Sequence, residues 1–435
     1  MALIDSTVII ADDLTGANDT ALQFFKKGNS AKIIIDCNQD FHEIEKTDVW
    51  SISTESRNID KEIAFKRVNE VAQKLRNNLS IENFYKKIDS TLRGNVGVEI
   101  LAMMEATQKE VAIVAPAYIE ENRTTIGGYQ LLNGVAIERT QCALDPKAPI
   151  YESYIPDILK KDLNPQYHNI IDTIGLNVVT KGAGPIALKI NELVQNGKKI
   201  IVVDAMSSAD LEQIALAISK SNFDILPCGS AGLANAINKI EGENEELKPL
   251  ISLPKLAKFI VSGSATQLTL KQIAKLKEDK ADIFFIDLEI KDIINGLDED
   301  VFKKIIEKLQ NGQNVAIHSS YINKEILDEN DLNQLIDAGI AKDEFIGKIT
   351  DFLAQLVDEI NELCDFVLIL VGGETSYKCA YKINSSYLDV LDAILPAVPL
   401  CKSKNGKYIV TKSGNFGTVN TLVEIIDYFN KNENL

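Results

Sequence analysis

Short runs of β-branched and aliphatic residues alternate along the chain with longer stretches whose apolar positions recur at helical spacing. TVIIA (Thr7 to Ala11), AKIIID (Ala31 to Asp36), DVWSIST (Asp48 to Thr54), Asn83 to Ile88 and VAIVAPAY (Val111 to Tyr118) predict strands. Ala21, Leu22, Phe24 and Phe25 share one face of a predicted first helix, with Asn18 as its cap. Ala64, Val68, Val71, Ala72 and Leu75 do the same for a helix from Ile63 to Leu79. The pattern returns with Lys198 to Ala205 as a buried strand, Ala209 to Ser219 as a helix, and FDILPCGSAGLANAI as strand, Gly turn and helix. Between these, IEENRTTIGGYQLLNG reads as an irregular polar loop, and Cys142 to Pro156 as a Pro- and Asp-rich excursion.

The alternation restarts after EGENEELKPLISLP, an acidic stretch with two prolines. KFIVSG (Lys258 to Gly263), DIFFID (Asp282 to Asp287), NVAIHS (Asn314 to Ser319), Phe366 to Val371 and YIVTK predict strands. Helices are expected from QLTLKQIAKLK, from Glu299 to Leu309, and from Lys342 to Leu363. At 435 residues the chain exceeds one ordinary core. The predicted fold is two α/β lobes with largely parallel sheets and the active site in the cleft between them. Residues 1–242 form the first domain, 243–254 a linker and 255–435 the second.

Polar chemistry collects where strands end. KKIDSTLRGNVGVE (Lys86 to Glu99) closes a strand and opens a helix, and it sets Lys87, Asp89, Ser90, Arg93 and Gly94 within a few residues. In an open parallel sheet that turn is where ligands are held. Asp12 and Asp13 follow the first strand, where paired carboxylates suit hydrogen bonds from sugar hydroxyls or a divalent ion. Arg57 follows a third strand, and its guanidinium suits a carboxylate. The second half carries three Gly/Ser/Thr turns: Ser262, Gly263, Ser264 and Thr266; Gly372, Gly373, Glu374 and Thr375; and Lys412 with Gly414. Parallel strands would bring all three to one edge, where backbone N–H groups and hydroxyls suit phosphates. Neither GxxxxGK[ST] nor GxGxxG occurs in these turns, which argues against an ordinary P-loop or dinucleotide fold.

Composition narrows the partners. The net charge is −17, which disfavours binding nucleic acid through a broad basic surface. No apolar run reaches the length of a membrane helix, and MALIDSTVII lacks the basic start of a leader, so a cytoplasmic protein is expected. The six cysteines include no CxxC pair, and with three histidines they argue against a zinc site or a disulfide framework.

The chain resembles the four-carbon acid sugar kinase family, once catalogued as a domain of unknown function. The matching stretches are ADDLTGANDTA (Ala11 to Ala21), STESR (Ser53 to Arg57), KIDSTLRGNVGVE, PAYIEENRTTIGGYQLLNG (Pro116 to Gly134), LDPKAP (Leu144 to Pro149), GSAGLANAI, SGSAT, GGET and KSGNFG. The resemblance implies transfer of phosphate from ATP, with Mg²⁺, to the C4 hydroxyl of D-threonate, D-erythronate or a 3-oxo-tetronate. It implies an N-terminal substrate lobe meeting the acid sugar through Asp12, Asp13, Arg57, Lys87, Asp89, Ser90, Arg93 and Gly94. It also implies a C-terminal lobe meeting ATP through Ser262, Gly263, Ser264, Thr266, Gly372, Gly373, Glu374, Thr375, Lys412 and Gly414. Asp13 or Asp89 is expected as the catalytic acid-base group; the metal ligands stay open, and a homo-oligomer is allowed. Two departures stand out: GGET where the family has GGDT, and YIEENR where it has FPENGR. The alternatives are a non-catalytic sensor of sugar acid and nucleotide and, weakest, a dehydrogenase using a nicotinamide cofactor.

Overall fold

The computed structural model describes residues 6–79, 81, 83–145, 148–240, 251–264, 266–319 and 329–433. The chain divides into two compact units, Met1–Glu246 and Leu247–Leu435. Of the stretch expected as a linker, residues 243–250 lie outside the described residues. Leu253 is buried in the core of the second unit, where its N–H donates to the Asn432 carbonyl.

The first unit begins β1 (Thr7–Ala11), α1 (Leu14–Phe25), β2 (Ala31–Ile34), β3 (Val49–Ser53), α2 (Lys61–Leu79), β4 (Asn83–Lys87), α3 (Val96–Thr107), β5 (Val111–Ala115). A small antiparallel sheet follows, β6 (Arg123–Ile126), β7 (Tyr129–Leu132) and β8 (Val135–Ala136). Then come α4 (Ile155–Asp162), β9 (Ile171–Ile174), α5 (Leu176–Val179), α6 (Ala183–Gln195), β10 (Ile200–Val203), α7 (Ser208–Ser219), β11 (Ile225–Gly229) and α8 (Ala231–Ile240). The main sheet runs β2-β3-β1-β4-β11-β5-β10-β9, and every pairing within it is parallel. Helices cover both faces of such a sheet, which is why β1, β5 and β10 are apolar without alternation.

Two expectations are corrected here. The cap of α1 is Asp13, not Asn18: the Asp13 carboxylate accepts the Gly16 N–H at 2.8 Å, so the helix starts a turn earlier and Asn18 is buried inside it. The stretch from Ile119 to Gly134 is not an irregular loop. Gly127 and Gly128 both have positive φ (61° and 77°), as do Asn133 and Gly134 (51° and 76°). Each pair makes the two-residue turn that suits strand twist, so β6, β7 and β8 form a meander. Asp204 holds the first turn by accepting the Gly127 and Gly128 N–H groups at 2.7 and 2.8 Å.

The second unit contains β12 (Lys258–Ser262), α9 (Gln267–Asp279), β13 (Phe284–Asp287), α10 (Ile290–Asn295), α11 (Glu299–Gln310), β14 (Val315–His318), α12 (Glu329–Asp337), α13 (Lys342–Asn361) and β15 (Val367–Val371). It ends with α14 (Gly373–Lys382), β16 (Tyr387–Leu395), β17 (Val398–Ser403), β18 (Tyr408–Lys412) and α15 (Thr421–Asn432). Its strands lie in the order β13-β14-β12-β15-β18-β17-β16, parallel as far as β18 and antiparallel beyond. Among the described residues no helix is long and apolar enough to cross a membrane, and all six cysteines are free.

A buried ion pair fastens β4 to α3 in the first unit. Lys86 Nζ lies 2.7 Å from Glu99 Oε2 and also donates to the carbonyls of Ile10 and Lys87. Burial lifts the Glu99 pKa, and the Lys86 charge offsets that only in part. Removing one partner strands the other charge in the core, so Glu99→Ala should destabilise this unit by about 3–5 kcal/mol. Lys86→Met combined with Glu99→Leu should recover most of that loss. Urea unfolding followed by the fluorescence of Trp50, the single tryptophan, measures both.

Candidate active site

Three neighbouring strands of the first unit end level with one another. Ala11 of β1 stands opposite Ser53 of β3 on one side and Lys87 of β4 on the other. The turns that follow therefore share one edge, at the point where the chain switches from building the sheet one way to building it the other. Backbone bonds from Ser56 and Arg57 N–H to the Asp12 carbonyl draw the second turn onto the first.

The edge is an alternation of acids and arginines. Arg57 grips Asp12 with two bonds, Nε to Oδ2 at 2.7 Å and Nη2 to Oδ1 at 3.1 Å, and places Nη1 2.7 Å from Asp13 Oδ2. Its Nη2 stands 3.8 Å from Asp89. Arg93 grips Asp89 in the same forked way, at 2.7 and 3.1 Å, and reaches Asp145 at 3.0 Å. The Thr91 hydroxyl donates to Asp89 as well. Burial alone would raise the Asp89 pKa, but Arg93 and Arg57, with the bonds from Arg93 and Thr91, hold it well below the usual carboxylate range. For Asp12 burial is likewise outweighed by Arg57, and the carboxyl is held low.

Backbone geometry makes this packing possible. Leu92 adopts φ 61°, unusual for a bulky residue, and so returns Arg93 to Asp89. Gly94 has φ 89°, and a Cβ there would lie 2.9 Å from Arg57 Cγ and 3.1 Å from its backbone. Gly94 is thus the residue that lets Arg57 come close. Ser90 is fixed through its carbonyl, which accepts Gln130 Nε2 at 2.7 Å from β7, and its hydroxyl makes no bond to the described residues.

Lys87 differs from the two arginines. It is buried, donates to the Ile88 carbonyl at 2.9 Å and has no carboxylate within ion-pair distance among the described residues.

The second unit repeats the arrangement. Val371 of β15 is in register with Ser262 of β12 and Lys412 of β18, so the three Gly-containing turns begin side by side. Gly263 gives room to Thr375, whose Oγ1 a Cβ would strike. Gly372, at φ 115°, lies against Ser264, and Gly414 lies against Ser264 and Thr266. The hydroxyls of Thr266 and Thr269 both donate to the Gly414 carbonyl at 2.9 Å. The buried hydroxyls of Ser262 and Ser376 have no hydrogen-bond partner among the described residues. Glu374 accepts from Thr350 of α13 and from Lys378, each at 3.2 Å, so its carboxylate is engaged within the unit. Lys412 is buried and donates to the carbonyls of Ser413 and Gly414; no acid pairs with it among the described residues. Burial pushes its pKa down to about 8.

Among the described residues no group of three or more His, Cys, Asp or Glu side chains is placed to hold a metal ion. With their oxygens taken by arginines, Asp12 and Asp89 do not fit a metal cage.

Residues 7–237 match the family described as a sugar-binding N-terminal domain, and residues 259–422 match its partner, a nucleotide-binding C-terminal domain. The chain belongs to the four-carbon acid sugar kinase family. It is 28% identical to a D-threonate kinase of Salmonella typhimurium over 97% of each chain. It is 27% identical to a D-erythronate kinase of Heliobacterium modesticaldum, over 98% of this chain and 97% of that one. A crystal structure of a Haemophilus influenzae protein shares the fold, with a TM-score of 0.74 at 22% identity, covering 97% of this chain and all of that one (100%). As a member of this kinase family the chain is an enzyme that phosphorylates an alcohol group, and the sensor and dehydrogenase readings fall away.

Sequence reasoning assigned no role to Glu55, Asp145, Gln130 or Asp19, which the fold brings to the same edge or against it. Asp19 of α1 is buried near Lys87, and burial pushes its carboxyl up to about 6. For Gln130 a signal existed: Gly-Gly and Asn-Gly at hairpin spacing predict a meander and hence an inward-facing residue on β7.

Lys412 makes a prediction about pH. Its folded pKa lies below the ordinary 10.5, so between about 8 and 10.5 the unfolded chain binds more protons and the stability of the second unit rises with pH. Lys412→Met should therefore be more stable than the wild type at pH 7, by about 2–3 kcal/mol. That advantage should shrink as pH climbs through the window, as read by circular dichroism in urea at pH 7 and pH 10.

Proposed function

We propose that this kinase transfers the γ-phosphate of ATP to the terminal C4 hydroxyl of a four-carbon sugar acid of the D-threonate, D-erythronate or 3-oxo-tetronate type. One observation carries the reading: each unit buries a lysine at the carboxyl edge of its sheet, Lys87 in one and Lys412 in the other, which donates to backbone carbonyls and has no carboxylate within ion-pair distance among the described residues. Lys412 meets only the cost of burial, and Lys87 feels Asp12 and Asp19 from beyond ion-pair distance, so at either lysine an anionic ligand can make the direct contact that no acid makes.

In the first unit Lys87 meets the substrate carboxylate. The outer lone pairs of Asp12, Asp13 and Asp89, and the hydroxyl of Ser90, take the sugar hydroxyls. Arg57 and Arg93 are already compensated, so their part is to fix those carboxylates rather than to supply net positive charge. In the second unit Lys412, the Ser262 hydroxyl, unpartnered among the described residues, and the backbone N–H groups that open α14 meet the phosphates. Mg²⁺ supplies charge neutralisation between phosphate oxygens when it arrives with ATP. The chain's own contribution is to orient phosphate and hydroxyl.

The test is ADP release with Mg²⁺ and ATP across D-threonate, D-erythronate, their L-isomers and the 3-oxo acids. Turnover of one four-carbon acid is expected, and its absence on all of them overturns the substrate class. Lys87→Met should raise KM for that acid roughly tenfold to a hundredfold, the worth of a charged hydrogen bond, and leave thermal protection by ATP in place. Lys412→Met should do the reverse, losing protection by ATP. If both variants lose the same ligand, the division of labour is wrong.

A further inference from the structure

On that reading of the reaction, the geometry points to Glu55 as the base that takes the proton from the acceptor hydroxyl. Glu55 follows β3 on the same edge as Asp12, Asp13 and Asp89. Its backbone has φ 47°, in the left-handed region that non-glycine residues seldom enter, and such outliers gather where a side chain must be aimed. Arg67 of α2 holds the distortion by donating to the Thr54 and Glu55 carbonyls at 2.9 and 3.1 Å.

The aim is set by one carboxylate oxygen. Oε1 accepts the Leu14 N–H at 2.9 Å and the Ser53 hydroxyl at 2.6 Å, while Oε2 receives no hydrogen bond from the described residues. The other acids of these three turns lack that freedom. Asp12 and Asp89 are each clasped by an arginine fork, and Asp13 has one oxygen on the Gly16 N–H and the other against Arg57. The charged groups facing Glu55 are Asp13 and Arg57 at the edge and Arg67 behind it. Burial pushes the Glu55 carboxyl up to about 7, with Asp13 adding to the rise and the bonds from Ser53 and Leu14 and the charge of Arg57 opposing it. A general base works best with its pKa near the working pH, a condition that Asp12 and Asp89, both held low, do not meet.

The step balances as follows. The acceptor oxygen bonds to the γ-phosphorus as the bond from that phosphorus to the β,γ-bridging oxygen breaks. The electron pair of the broken bond leaves on ADP, and the hydroxyl proton passes to Glu55 Oε2. Oε1 keeps the carboxylate in place throughout.

Glu55→Gln separates this role from that of a helix cap, because a glutamine carbonyl oxygen can still accept the Leu14 N–H but the side chain cannot take a proton. The experiment uses the full chain and whichever acceptor alcohol the wild type turns over best. Glu55→Gln should lower kcat about 10²- to 10³-fold. KM and thermal protection by ATP should stay within roughly twofold, and Glu55→Asp should restore part of the rate. The wild-type kcat/KM profile should rise through a limb near pH 7 that Glu55→Gln lacks. Unchanged kcat in Glu55→Gln would make Glu55 a cap alone and overturn the proposal. Persistence of the limb in the variant would place the base elsewhere. Should Glu55→Gln not fold, the wild-type profile still decides: a kcat/KM level from pH 5 to pH 8 overturns the proposal. Failure of the substrate reading would be visible first and separately, as absence of turnover by the wild type on every four-carbon acid.

Discussion

Parallel strands that end in register bring their following turns to a common edge, and each unit uses this with three adjacent strands. In the first unit Ala11, Ser53 and Lys87 are level; in the second Ser262, Val371 and Lys412 are. Residues separated by dozens of positions thereby become neighbours without any long loop. The placement falls where strand order reverses, so no crossover helix covers it. The functional chemistry of this chain depends on that alignment more than on any individual side chain.

Electrostatics then distinguishes two kinds of cation at these edges. The arginines are structural partners of acids: Arg57 and Arg93 lock Asp12, Asp13, Asp89 and Asp145 into a lattice. Fork-to-fork bonds of this kind fix orientation, and in a buried setting they keep the carboxylates ionised. Among the described residues the two edge lysines form no direct ion pair, and each stands open to an anion. A net charge of −17 makes that local exception matter, because attraction for an anionic ligand has to come from within the site and not from the surface around it.

Strain is placed along the same edges. Glu55 and Leu92 in the first unit hold left-handed backbone, and Gly94 and Gly372 hold positive φ where a Cβ would meet a neighbour. Each unusual angle is over-determined by surrounding bonds, such as those from Arg67 to the Glu55 carbonyl and from the Gly372 N–H to the Lys412 carbonyl. Other non-glycine residues with positive φ, such as Gln108 at the end of α3 and Ala397 between β16 and β17, lie in caps and turns.

Apolar runs and Gly-containing turns were enough to read the α/β rhythm, the second start of the pattern beyond Pro254, and the turns that matter, because burial on both sheet faces leaves an unmistakable run and a turn needs particular residues. The Asp12-Asp13, Arg57 and Lys87 to Gly94 stretches were readable for the same reason, as were the motifs that relate the chain to its family. Pairing was not. Which acid each arginine grips, why Lys87 and Lys412 form no direct ion pair among the described residues, and how Gln130 reaches Ser90 depend on contacts between distant segments, for which local sequence carries no code. The role open to Glu55 was hidden likewise. In sequence it is one acid among 63, and only tertiary structure buries it, turns its backbone to positive φ and leaves one of its oxygens without a hydrogen bond from the described residues.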